Sequence, residues 1–155
     1  MSEATTRALI KTELDTVTEI GKTHDYTRWA ITFEKFLTFF KTILGNKEQV
    51  RGWSIECENW EEKRLTFTGN QRQYTYTLRG YLGLNDAKAT GKTFTALTED
   101  VCEAINSAAT LGRASGSPWM EEPAQVPDIT HRLFGGALCH YCEINLTINE
   151  LVSTA

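Results

Sequence analysis

The sequence predicts one α+β domain, with a mainly antiparallel sheet packed against two or three helices. Three observations predict it. Apolar residues alternate with a period of two over 50–58, 73–82 and 137–149. They recur at three- to four-residue steps over 3–21, 32–44 and 92–111. The length of 155 residues is enough for one core without disulfide or metal staples, but short for two domains.

In chain order, 3–21 is an amphipathic helix. Leu9 or Ile10, Leu14, Val17 and Ile20 form its stripe, Gly21 is its stop, and five threonines lower its intrinsic propensity, so it needs packing to persist. Trp29, Phe33, Phe36, Phe39, Phe40 and Ile43 make a second stripe, predicting a short helix over 32–44 broken by Gly45-Asn46. The aromatic density of this region suits a core and its rim, with a patch for a neighbouring subunit as the alternative. Trp53, Ile55 and Cys57 then share one face of a half-buried strand whose other face carries Ser54, Glu56 and Glu58. Residues 59–72 are polar and contain Gly69-Asn70. They predict a hairpin arm with Leu65 and Phe67 in its returning strand.

Tyr74, Tyr76, Leu78, Gly80 and Leu82 alternate against Thr75, Thr77, Arg79 and Tyr81, a second long strand antiparallel to the first. Phe94, Leu97, Val101, Ile105 and Ala108 define the clearest helix, 92–111, with Thr93 as a candidate N-cap and Gly112 at the C-cap position. Residues 112–127 contain all three prolines and predict a loop, followed by a short strand at 128–133 and a turn at Gly135-Gly136. Leu138, His140, Cys142, Ile144, Leu146 and Ile148 alternate along a strong terminal strand.

Composition narrows the function. Hydrophobic and charged fractions of 41% and 23% are ordinary for a globular chain and argue against disorder or membrane spanning. The longest apolar stretch, 36–44, is interrupted by Thr38, Lys41 and Thr42 and is too short to cross a bilayer. With 16 Lys+Arg against 20 Asp+Glu, the net charge of −4 disfavours broad phosphate-driven nucleic-acid binding. The N-terminus lacks an apolar leader, so free thiols in a reducing cytoplasm are expected for Cys57, Cys102, Cys139 and Cys142.

The chemical motifs all have simpler structural readings. CHYC at 139–142 has redox or zinc spacing, but residues three apart in a strand point to opposite faces, and no second ligand pair completes a tetrahedral site. GKT at 91–93 resembles the end of a phosphate loop, but the position needing the first glycine holds Asp86. His24-Asp25 is a local pair without a nucleophile or oxyanion site, and His131 and His140 fall in strands. Glu56, Glu58, Glu61 and Glu62 form the densest acidic group, on a solvated strand edge balanced by Lys63 and Arg64. No cofactor, metal or catalytic residue is assigned, which favours a structural or interaction protein over a small soluble enzyme.

The ending DITHRLFGGALCHYCEINLTINE, residues 128–150, resembles the C-terminal strand region of tail terminator (tail completion) proteins of tailed bacteriophages. VRGWSIECE, QYTYTLRGYLGLND and KTFTALTEDVCEAI follow the same element order, so the resemblance spans about 5–150. It implies a non-catalytic subunit that assembles as a homo-hexameric ring at the virion neck after synthesis in the host cytoplasm. Its partners would be the tail tube protein, the head-side connector and, in a contractile tail, the sheath protein. DNA would be passing cargo only, and no membrane is involved. Another head–tail connector, a neck or stopper protein, is the runner-up. A ring needs two different matching patches per subunit. The arm, with Trp60 and Phe67, and the 112–127 loop, with Trp119, are the candidates.

Overall fold

The computed structural model describes residues 2–112, 118–134 and 136–153. Its described elements are α1 (Glu3–Asp15), β1 (Lys22–His24), α2 (Phe33–Phe40), β2 (Lys41–Leu44), β3 (Lys47–Thr66), β4 (Gly69–Gly83), α3 (Thr90–Asn106), β5 (Gln125–Phe134) and β6 (Ala137–Ser153). The sheet runs β1-β3-β4-β6-β5, with β2 paired to the start of β3. Among the described residues, only the short β1–β3 pairing is parallel. This is the α+β architecture that the alternation predicts.

The two faces of the sheet are buried differently. On one, Ile10 and Leu14 of α1 and Phe94, Leu97, Val101 and Ile105 of α3 pack on Trp53, Ile55, Tyr76, Leu78, Cys142, Ile144 and Leu146. Each such burial contributes about 1.5–3 kcal/mol. Val17 and Ile20 belong to the same core although α1 has already ended, and Gly21 follows with a φ of +87°. On the other face, α2 lays Phe36 and Phe40 on Val50, Tyr81, Cys139 and Tyr141.

α1 ends at Asp15, short of the expected Gly21 stop, and other boundaries also differ from the sequence reading. The second helix stops at Phe40, because residues 41–44 pair back onto β3 through a two-residue turn in which Gly45 and Asn46 both have positive φ. Ile43 therefore points to solvent instead of extending the helical stripe. α3 starts at Thr90 behind a left-handed Ala89, so Thr93 lies inside the helix and does not cap it. It ends at Asn106, where the Ser107 hydroxyl donates to the Glu103 carbonyl at 2.7 Å and competes with continuation. A separate 3-10 turn, Ala109–Leu111, precedes Gly112. Finally, the strand expected over 128–133 begins earlier, at Gln125, and accommodates Pro127 where its register with β6 shifts. Residues 113–117 of the expected loop and Gly135 of the expected turn lie outside the described residues.

The arm is a continuation of the sheet. A register shift between Cys57 and Asn59 brings Trp60 opposite Tyr74, on the helix-side face that the odd-numbered residues occupy before it. β6 runs alongside β4 to its end, with Gly69 opposite Ser153, so the arm has three strands instead of two. The turn comes at Phe67-Thr68; Leu65 lies in the outgoing strand and Phe67 in the turn, neither in the returning strand.

Candidate functional site

The α2 side of the sheet carries a groove of about 500 Å³. Alternation along β4 and β6 points Tyr81 and Tyr141 to this face, α2 adds Phe36 and Phe40, and the end of β5 adds Phe134. The rings form a continuous wall: Phe36 stacks on Phe134 at 5.4 Å, and Tyr81 meets Phe40 at 4.7 Å and Phe134 at 4.8 Å between centroids. The 25–32 segment closes one side and leaves Trp29 82% exposed, while Leu133 on β5 is 69% exposed.

Three arginines reach this groove. Arg79, on β4, binds Glu56 and Glu58 and stands 3.6 Å from Glu143. Burial works to lower its pKa, but the Glu56 hydrogen bond and the surrounding carboxylates outweigh this and raise it, so the guanidinium stays charged. Arg28 and Arg132 differ. Arg28 lies over the Phe39 ring at 3.9 Å and Arg132 over the Tyr141 ring at 4.2 Å. Among the described residues, neither is paired with a carboxylate.

The acidic group singled out in the sequence is organised by other partners than its chain neighbours. Glu56 and Glu58 pair with Arg79, and Glu62 pairs with Arg72 at 2.8 Å; Lys63 and Arg64 do not neutralise them. The three expected interface aromatics separate. Trp60 is 58% exposed with Arg72 over its ring, and Phe67 is 97% exposed. Trp119 is only 6% exposed, and its backbone exchanges hydrogen bonds of 2.9 and 2.8 Å with Asn149 of β6. It is part of the subunit's interior and is not available as a surface anchor.

The other motifs serve the fold. Cys139 lies in the aromatic cluster and Cys142 in the helix-side core, so CHYC straddles the sheet. His24 Nε2 is 2.7 Å from the Phe39 carbonyl, and the Asp25 carbonyl accepts from Arg7 at 2.7 Å. His131 and His140 are direct cross-strand partners, and His140 Nε2 is 2.9 Å from the hydroxyl of Thr90. The GKT segment forms the first turn of α3. Among the described residues, no group of three His, Cys, Asp or Glu side chains could hold a metal ion. No helix among them is long and apolar enough to cross a membrane.

Sequence reasoning missed the groove's charged rim. Arg28 and Arg132 are far apart in the chain and carry no local motif; only the aromatic density of 29–40 signalled a surface there. No family model matches the chain, and no curated protein matches it.

Proposed function

We propose that the protein is a structural assembly subunit, a tail terminator that closes as a homo-hexameric ring on the phage tail tube and joins it to the head-side connector without catalysis. The resemblance of 128–150 supplies the identity. The observation that supports an assembly role is the projecting arm: from 59 to 66, the outer side of β3 has no strand partner among the described residues, and Trp60 and Phe67 stand in solvent beside it. Exposed aromatics on an open edge are characteristic of surfaces covered by a partner. The groove, with Trp29 and Leu133 exposed, is a second and different such surface. Two unlike patches on one subunit suit the heterologous contacts of a ring. DNA passes through the ring without being gripped, in keeping with a net charge of −4 per subunit.

The test is partner choice. Purified protein is mixed in parallel with tail tube protein and with head-side connector, and each mixture is sedimented and imaged. Capping of tube ends supports the terminator reading. Binding to the connector with no effect on tubes makes the protein a neck or stopper component, and binding to neither removes the assembly role.

A further inference from the structure

Two edges of the sheet have no strand partner among the described residues. One is the outer side of β3 along the arm, 59–66; the other is β5, which pairs only with β6. The backbone groups of such edges are templates for another strand. β3, β4, β6 and β5 are antiparallel in succession, so the two edges run in opposite directions. A second copy brought round by rotation, without a flip, therefore offers its β5 antiparallel to the arm, with its helices on the same side of the sheet. One chain cannot form this pair by itself, because β4 and β6 lie between its two edges.

The side chains of the two edges are complementary. With Glu61 set opposite Arg132, Lys63 faces Thr130 and lies diagonal to Asp128, and Trp60 meets Leu133. Alternation puts the four charges on the same face, the α2 side: Glu61 and Lys63 are out of phase with Trp60, and Asp128 and Arg132 stand opposite Glu143 and Cys139 of β6. All four are exposed, and none is ion-paired among the described residues. Asp128 faces a carboxylate, Glu143, within its own subunit, so a cation from outside is what it lacks. Trp60 and Leu133 are 58% and 69% exposed. Opposite charges and apolar side chains paired across strands stabilise a ladder.

We propose that the arm of each subunit pairs antiparallel with β5 of the next copy, continuing one sheet round the ring. This inference rests on the ring reading and names the strands that build it. In its own subunit β5 lies beside 137–145 of β6, while the arm lies at the level of 147–153. Tilting the strands against the ring axis takes up the resulting stagger, as in a barrel. The contact is heterologous, as ring closure requires. Two arms pairing about a two-fold axis would instead set one of Glu61, Glu62, Lys63 or Arg64 against its own copy, and like charges directly opposite are destabilising.

The test uses full chains, in solution or on tail tubes, whichever form is oligomeric by light scattering or imaging. Lys63→Cys and Thr130→Cys chains are mixed, mildly oxidised and mapped by mass spectrometry. A disulfide between the two variants is expected, and none between copies of either variant alone. Separately, Glu61→Arg and Arg132→Glu should each weaken association about tenfold, and the double variant, which carries both reversals in every chain, should recover it. With an oligomeric parent, absence of the 63–130 bond overturns this contact and leaves the ring reading standing. So do single charge variants that associate like the parent, or a bond between two Lys63→Cys chains, which would reveal two-fold arms. A parent that is monomeric with and without tube protein overturns both.

Discussion

Gly80 and Trp53 are direct cross-strand partners, and the Trp53 indole occupies the space that a Gly80 side chain would need. A Cβ on Gly80 would lie 2.6 Å from the ring, which is fully buried and stacked against Phe94 of α3. The glycine inside this strand is thus the counterpart of the largest side chain in the core.

Gly80→Ala is expected to destabilise the subunit by about 1–3 kcal/mol, the usual cost of overpacking. Adding Trp53→Phe, with its smaller ring, should make the double variant more stable than the two single effects sum to. Chemical denaturation of the four proteins measures this coupling.

The four thiols should react in two classes. Burial pushes Cys139 up to about 11 and Cys142 up to about 12, and both are inaccessible, whereas Cys57 and Cys102 are half-buried. Iodoacetamide at neutral pH should therefore label Cys57 and Cys102 first, and Cys139 and Cys142 only on unfolding. Because Cys139 and Cys142 sit on opposite faces, mild oxidation should give no bond between them, as peptide mapping by mass spectrometry would check.

Trp119→Ala and Trp60→Ala should separate subunit stability from assembly. Loss of the buried Trp119 should cost about 3–5 kcal/mol. Loss of the exposed Trp60, whose ring contact is with Arg72, should cost about 1 kcal/mol or less while weakening ring formation. Thermal melting reads the first effect, and light scattering on the folded variant reads the second.

Stability should fall on acidification through His140. Burial, and then the neighbouring His131, hold its pKa below the ordinary histidine value. The unfolded chain therefore takes up the proton at higher pH than the folded one. This contribution is fully present above about pH 6.5 and is lost as pH drops from there toward the lower folded pKa. Melting temperatures at pH 7.5 and 5.5 should differ more for the parent than for His140→Gln.

Much of the fold was legible because its signals are local and redundant. Along 137–151, one parity is apolar over many successive residues, and a one-residue slip would have exposed all of them. The α2–β2 boundary was not legible in the same way. Phe39, Phe40 and Ile43 keep a helical spacing, while the Gly45-Asn46 turn and the pairing with Val50 decide for a hairpin. Trp119 is fixed by Asn149, a partner far along the chain that no local pattern announces. The groove was half legible. Its aromatic wall shows in 29–40, but Arg132 and Tyr141 reach it only through the β5–β6 pairing.

The most direct measurement of the central claim is electron microscopy of the purified protein, alone and with tail tubes. A tail terminator should give closed rings of six 17.5 kDa subunits, seated on tube ends and stopping their growth. Monomers that leave tubes uncapped and growing would contradict it.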